Sequence, residues 1–475
     1  MSSTDSAPSP RPRLIGLETE YGCLVAEGEQ GHLVVGKLRD WFFDNDRHGL
    51  IDVHYRDWDE PPGNGGFLFN GGRVYEDMGH LEMCTPECAS VLDVVHYDRS
   101  NDLMIDEALR ELHLTDTVSI IRNNIDHYTG ATFGCHENFS MLRQVEFSDE
   151  SVFSLLTFLT LRGLYTGAGR VGGLEMQRQQ VGEGLLKAFK GFQITQRADY
   201  VENEFYRWVQ GNRSIINTRD KPLADPILYR RLHLLHGDTN VLPSATFLKL
   251  GATSLALDLL EIDLLPKVQL FDPVRSLKEI SYQTNGPWEV ILKEGVRADA
   301  IDVLDQFHQA AQAEFAGRDS ETDQILTLWR RVNEGLRNDA TSLMGVLDWV
   351  SKRILLEDFC EQEGLTLQDP WMESQDLEYH QVLSDRSLGL PLAEAGPWLA
   401  SSDTLALYLK LPPQDTRAVA RSSVMKRIRP TVNEYMIDWD RVRWGDQLAD
   451  LSDPYAVTAK VQSSPEQEDF GEMEY

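Results

Sequence analysis

Gly16-Leu17-Glu18-Thr19-Glu20-Tyr21-Gly22 lies within a stretch from Arg13 to Ala26 that reads as a β-strand. Strand side chains alternate between faces, so Ile15, Leu17 and Tyr21 pack on one side while Glu18 and Glu20 project together from the other. Two carboxylates on one face of a buried-looking strand repel each other and are costly to desolvate. A divalent cation removes that cost, and hard oxygen ligands suit magnesium. An exposed strand with two solvated glutamates would show the same pattern, so this heptapeptide alone leaves both readings open.

Three further stretches carry similar polarity. Asn70-Gly-Gly-Arg73-Val-Tyr75-Glu-Asp77-Met-Gly-His80-Leu-Glu82-Met-Cys-Thr85 contains a strand from Gly72 to Met83. Arg73, Tyr75 and Asp77 share one of its faces and Glu76 points the other way. Polar residues on both faces of one strand favour a site or a sheet edge, although cross-strand ion pairs on a surface strand remain an alternative. In Phe133-Gly134-Cys-His136-Glu-Asn138-Phe139, Gly134, His136 and Asn138 share a face opposite Phe133, Cys135 and Phe139. A single histidine on such a strand is more often a hydrogen-bonded structural residue than a ligand. Arg213-Ser-Ile-Ile-Asn217-Thr-Arg219-Asp220 and Tyr229-Arg230-Arg231-Leu-His233 concentrate guanidinium forks, which match phosphate oxygens. As separate surface ion pairs these arginines would mean little.

Outward from these strands, Ile120 to Asn124 and Thr132 to Leu142 read as a pair joined by a turn at Thr129-Gly130. Asp57 to Gly66, with its Pro and Gly, reads as a loop. Val152 to Tyr165, Thr246 to Glu261, Ala300 to Ala316 and Thr322 to Gly364 read as helices. The chain is thus β-rich early and helix-rich later, without βαβα alternation, which predicts an α+β fold with an antiparallel sheet. Residues 1–12 read as a flexible tail, 13–395 as the main domain, 396–462 as a small C-terminal domain and 463–475 as an acidic, disordered tail. With no GxxxxGK[ST], any nucleotide must be held by means other than a phosphate loop of that kind.

The formal charge of −31 over 475 residues argues against nucleic-acid binding, which needs a basic surface. An anionic substrate would need a locally basic groove. Five cysteines without a second close pair suggest neither a disulfide framework nor a zinc site, and predict reduced thiols in a cytoplasmic protein. The Ser- and Pro-rich start reads as a flexible tail rather than a signal peptide, and no apolar run is long enough to span a membrane.

Glu18-Thr-Glu20-Tyr-Gly, Asn70-Gly-Gly-Arg73, Gly134-Cys-His-Glu-Asn138, Ile215-Ile-Asn-Thr-Arg-Asp220, Tyr229-Arg-Arg-Leu-His233 and Pro412-Pro-Gln-Asp-Thr-Arg417 stand in the order found in the Pup–protein ligase and Pup deamidase/depupylase family, which the chain resembles from about Arg13 to Asp453. The resemblance implies a curved antiparallel sheet flanked by helices, related to glutamine synthetase and γ-glutamyl-cysteine ligase, with a small C-terminal domain. It also implies ATP-dependent phosphorylation of the side-chain carboxylate of a Pup-like modifier's C-terminal glutamate. A lysine of a target protein then attacks to form an isopeptide bond, in a pathway linked to the bacterial proteasome. Matching positions imply magnesium at Glu18, Tyr75 and Glu82, ATP contacts at Arg73, Thr85 and Trp439, and Asp77 as the catalytic base. Glu20, His136 and Asn138 form a second tier.

Three departures bear on the choice within the family. Leu81-Glu82-Met83 replaces a frequent Pro-Glu-Tyr, and Asp220-Lys221-Pro-Leu223 lacks the usual His. The Asp77-to-Glu82 spacing, Thr166 to Gly172 and Gln196 to Tyr200 resemble the deamidase, whereas Ala26 to Phe69 is too short for the deamidase's long insertion. The expectation is therefore a ligase, with a deamidase, a small-molecule carboxylate–amine ligase and an inactive scaffold as alternatives.

Overall fold

The alternation along β1 (Ile15–Val25) gives a strand with two unlike faces, and this strand lies within the main sheet. The computed structural model describes residues 12–26, 30–55, 60–126, 131–173, 191–207, 213–429 and 435–463. The expected N-terminal tail through Arg11, the Thr129-Gly130 turn, residues 57–59 of the expected loop and the tail beyond Ser463 lie outside the described residues.

The next strands are β2 (Gly49–Asp52), β3 (Gly65–Leu68), β4 (Arg73–Asp77), β5 (His80–Cys84), β6 (Val118–Ile121), β7 (Cys135–Leu142), β8 (Arg170–Val171) and β9 (Phe192–Gln193). They are followed by β10 (Val201–Tyr206), β11 (Arg213–Asn217), β12 (Tyr229–Leu234), β13 (Glu289–Ile291) and β14 (Arg297–Asp299). Last come β15 (Tyr435–Ile437), β16 (Arg441–Trp444), β17 (Gln447–Asp450) and β18 (Lys460–Ser463). Ten strands form the main sheet in the order β10-β11-β12-β7-β1-β5-β4-β3-β2, with β6 beside the end of β1. Its pairs are antiparallel except β10–β11, which is parallel. The α+β, largely antiparallel expectation therefore holds, with one parallel edge pair added.

One face of the sheet is sealed by helices. The helix Val91–Glu111 starts at Ser90, whose hydroxyl accepts from the Asp93 amide. It sets Asp98 3.2 Å from Thr19 Oγ1 and Asp102 2.9 Å from the Tyr21 hydroxyl. Arg122 pairs with both aspartates. Farther along, Pro243–Glu261 is apolar nearly all round and is buried on nearly every side, packing against the helices Ala300–Phe315 and Ser320–Asn338. Among these apolar layers Glu137 of β7 accepts two bonds from Arg162, each 2.7 Å, with both side chains buried. A paired, hydrogen-bonded buried ion avoids the large cost of an isolated one.

The other end of the sheet carries the C-terminal sheet β15–β18 and the helix Arg417–Ile428. Ala420, Val424, Met425, Ile437 and Val442 share a core with Leu50, Phe67 and Phe69 of the main sheet's edge. The helix Ser402–Tyr408 instead packs on Val91–Glu111, with the Tyr408 hydroxyl 2.7 Å from Asp93.

Several expected elements differ. Gly72 to Met83 is two strands, because Met78 (φ 49°) and Gly79 (φ 88°) close a tight hairpin between Asp77 and His80. The strand near Ile120 pairs with β1 rather than with β7. Thr322 to Gly364 is broken near Asp339, whose carboxylate caps a short helical turn, and a second helix starts at Asp348. All five cysteines are free thiols. Among the described residues no helix is long and apolar enough to cross a membrane.

Candidate active site

Register brings the polar faces together. Glu18 lies opposite Cys84 of β5 and His136 of β7, and Glu20 lies opposite Glu82. On β4, Tyr75 is opposite Glu82 and Arg73 opposite Cys84. On β12, His233 is opposite Asn138. Directly paired residues share a sheet face, so side chains from five strands converge opposite the helix-covered side.

Two clusters of metal-compatible groups form there among the described residues. Glu18, His136 and His233 make one, and Glu20, Asp77 and Glu82 make the other, with the ligand atoms of each group within 4.8 Å of one another. Glu18 is held by Asn138, which donates to Oε1 at 2.9 Å, and by His136 Nδ1, 3.1 Å from Oε2. His233 Nε2 lies 3.8 Å from the same carboxylate. Burial alone would raise the Glu18 carboxyl, but the His136 hydrogen bond and the charges of His233, His136 and Arg231 bring it below the usual carboxylate range. Glu82 has the opposite balance. Burial, with Glu18, Glu20 and Asp77 around it, pushes its carboxyl well above that range, although the Tyr75 hydroxyl donates to it. A buried carboxyl ringed by carboxylates is a position that a cation stabilises.

Gly134 makes the crowding possible. A Cβ there would stand 2.5 Å from both Glu20 Oε1 and His136 Nε2. Arg73 crosses the Tyr75 ring at 4.3 Å and pairs with Glu60 at 3.1 Å, placing a cation at the edge of the carboxylate clusters. Asp77 sits at the neck of the hairpin, paired in register with His80.

Beside this face opens a cavity lined by Gly16, Glu18, Thr85, Asn138, Arg231 and Trp439, among others. Thr85 accepts from the Leu17 amide at 3.1 Å, which fixes its hydroxyl at the wall. Trp439 comes from the C-terminal unit. Its ring meets Phe67 edge to face at 5.1 Å and lies 4.9 Å from the Arg421 guanidinium. Arg421 and Arg417 both bind Glu87, whose carboxyl those charges hold down to about 2 against the opposing effect of burial.

The structure thus gathers Glu18, Glu20, Tyr75, Asp77, Glu82, Arg73, His136 and Asn138 on one face, with Thr85 and Trp439 at the adjoining cavity. Sequence reasoning did not single out His233 as a neighbour of Glu18, nor Glu87 and Arg421 as the support of Trp439. The arginine-rich motif held the signal for His233. Nothing local signals the pairing of Glu87 with Arg421, which lie more than 300 residues apart.

A largely antiparallel sheet with helices on one face, and with carboxylates and an arginine converging on the other beside a small C-terminal β-unit, defines the class of ligase fold that includes the solved Pup ligase PafA. Within that class the chain belongs to the Pup-ligase protein family, which it matches over residues 13–443. It is 30% identical over 463 residues to the Pup–protein ligase of Acidimicrobium ferrooxidans, covering 94% of this chain and 96% of that one. It is 32% identical over 452 residues to the Pup–protein ligase of Sanguibacter keddieii, covering 92% and 94%. The fold is similar to the ligase PafA in its crystal complex with the prokaryotic ubiquitin-like protein Pup, with a TM-score of 0.79, 27% identity, and 94% of this chain and 90% of that one covered. PafA in complex with ADP gives a TM-score of 0.73 at 29% identity, covering 83% and 88%.

Proposed function

We propose that the chain is an ATP- and magnesium-dependent ligase that joins the C-terminal glutamate of a Pup-like modifier to lysines of target proteins. One observation carries this reading. The carboxylate clusters around Glu18 and Glu82, with Arg73 beside them, adjoin a cavity walled by Thr85 and Trp439, in a chain similar to Pup ligases over nearly its whole length.

Glu18, Tyr75 and Glu82 would hold magnesium, and the buried Glu82 among three other carboxylates fits a hard cation. Bound there, magnesium would neutralise phosphate charge during transfer. Glu20 lies across from Glu82 and adds to that field, while His136 and Asn138 orient the Glu18 carboxylate. Arg73 and Thr85 would contact ATP, and the Trp439 ring offers an apolar face to the base or ribose. Asp77 would orient the incoming lysine ammonium and take its proton. Residues 13–395 would form the catalytic domain, and 396–462 the small domain that supplies Trp439. The free thiols fit a cytoplasmic protein.

The ligase reading is preferred over the deamidase because the family and the relatives compared are ligases. The test is to incubate the protein with ATP, magnesium, a lysine-bearing target and the modifier ending in either Glu or Gln, then analyse the products by mass spectrometry. Conjugates formed from the Glu form are expected. Conversion of Gln to Glu without any conjugate would overturn the ligase reading.

A further inference from the structure

The face of β1 turned away from the carboxylates is polar as well, although it lies in the core. Thr19 and Tyr21 are fully buried and flank Glu20 in the sequence. Tyr21 shares its core with Leu81, Met83, Met104 and Ile105. There the Thr19 hydroxyl donates to Asp98 at 3.2 Å and the Tyr21 hydroxyl to Asp102 at 2.9 Å. Arg122 bridges the same two aspartates, with Nη2 2.6 Å from Asp98 and Nη1 donating to Asp102. Arg99 adds a bond to Asp102 at 3.3 Å. The spacings match, since residues four apart on a helix rise about 6 Å and residues two apart on a strand about 6.7 Å. Helix and strand are therefore pinned to each other at two successive points.

Burying so many charges is not the route to greatest stability. Well-packed apolar side chains in place of a buried ion network are often as stable or more so. What these hydroxyl–carboxylate bonds add is direction, because they weaken steeply when misaligned. The catalytic side of the strand needs that direction. Glu20, Asp77 and Glu82 offer ligand atoms within 4.8 Å of one another, and like charges at that range oppose each other. Glu18 is steadied by Asn138 and His136. No side chain among the described residues donates a hydrogen bond to the Glu20 carboxylate, which lies 4.0 Å from His136 Nε2. Its place is set by the backbone of β1 and, through Thr19 and Tyr21, by the helix behind it.

From this arrangement we infer that Thr19 and Tyr21, backed by Asp98, Asp102 and Arg122, are positioning residues that hold Glu18 and Glu20 at the spacing a divalent cation requires. The inference rests on the magnesium-dependent reading of the carboxylate clusters. Alternation ties the two faces of the strand together, so any shift of the backbone at Thr19 or Tyr21 carries Glu20 with it. Burial and the Asp102 charge raise the Tyr21 hydroxyl well above the usual phenol range, which keeps it a donor. A carboxylate frame held in place before the cation arrives binds it without the cost of gathering the ligands.

The experiment titrates Mn2+, a spectroscopic stand-in for magnesium, and follows the free ion by electron paramagnetic resonance. It compares the unaltered protein with Thr19→Val, Tyr21→Phe and the double variant, each of which removes a hydroxyl and keeps the shape. Thr19→Ser keeps the hydroxyl. Tyr165→Phe removes another buried hydroxyl, which donates to Asn333 at 2.6 Å and accepts from Trp329 at 2.9 Å in the helical layer. The Kd for Mn2+ should rise about 10–100-fold in the double variant, the usual effect of removing an outer support of a metal ligand. The magnesium concentration for half-maximal conjugation should rise in parallel, while kcat at saturating magnesium stays close to that of the unaltered protein. Thr19→Ser should bind Mn2+ normally. Tyr165→Phe should lower the unfolding midpoint and leave the Kd unchanged. An unchanged Kd in the double variant would overturn the inference, as would an equal rise in Tyr165→Phe or a loss of kcat that saturating magnesium does not restore. Should the double variant fail to fold, the two single variants read the same Kd. If the unaltered protein bound no Mn2+, the magnesium reading itself would fall. If it bound Mn2+ and the hydroxyl variants matched it, the inference alone would fall.

Discussion

Asp77 stands at the neck of a hairpin, within reach of both Glu20 and Glu82. A lysine ammonium, with a pKa of about 10.4, cannot attack until it loses a proton. Asp77→Asn keeps the size of the side chain and removes its basicity. Conjugation by this variant should fall by about 10²–10⁴-fold, the usual worth of general-base catalysis, while isothermal titration should show ATP binding retained. Parallel loss of ATP binding would mean that Asp77 supports Arg73 or the fold instead. Much of this residue-level picture was legible in the sequence, because a period of two decides which side chains share a face. Glu18 with Glu20, and Arg73 with Tyr75 and Asp77, follow from that period alone. The meeting of Glu18 with His233 and Arg231 does not. It depends on the pairing of β7 with β12 across a long separation, and local pattern does not specify that register.

At the scale of elements, two devices hold the site. The hairpin between β4 and β5 closes through Met78 and Gly79 in left-handed backbone, and the sequence reading ran through it as one strand. Asn-Gly or Asp-Gly is the strong signal for such a turn, and Met-Gly hides it. Met78→Asn should recover part of the roughly 1–2 kcal/mol that left-handed backbone costs an ordinary residue, seen as a higher unfolding midpoint in denaturant. The second device joins the C-terminal unit to the sheet. Glu87 clamps Arg417 and Arg421, and Arg421 also donates to the Trp439 and Gly71 carbonyls at 3.1 and 2.9 Å. Glu87→Gln weakens that clamp without touching the carboxylate clusters. Steady-state kinetics should show a higher KM for ATP with a smaller change in kcat. An unchanged KM would mean that Trp439 does not need this support.

Across the whole molecule, burial has set histidines against acid. Burial lowers His48 to about 4 and His236 to about 3, and it also lowers His96, His308 and His380. Each folded value lies below that of the free imidazole, about 6.5, so below that pH the unfolded chain binds more protons than the folded one. Their contribution to stability is complete above that point and is lost as the pH falls through the folded values. Asp348 works in the opposite sense: burial raises it to about 6, so it favours the fold at low pH and loses that contribution as pH rises. Glu82, Asp238, Asp299 and Glu378 are raised as well. The lowered histidines also include His233, however, and the lowered Glu18, Glu87 and Glu137 add to the loss in acid, so thermal melts should shift to lower temperature as pH drops from 6.5 towards 4. At this same scale the fold class was legible because strands precede helices in the chain. The place of Trp439 beside the cavity was legible only through the family resemblance, since no local pattern places Trp439 against Phe67. The account as a whole depends on one chemical event, transfer of the γ-phosphoryl group of ATP to the modifier's glutamate carboxylate. The direct measurement is to supply a modifier whose C-terminal glutamate side chain carries oxygen-18 in both carboxylate positions, run the conjugation with ATP, and analyse the released inorganic phosphate by mass spectrometry. One oxygen-18 per phosphate is expected, because the carboxylate oxygen that attacks phosphorus departs with it when the lysine takes its place. Conjugates formed alongside phosphate free of the label would contradict the account.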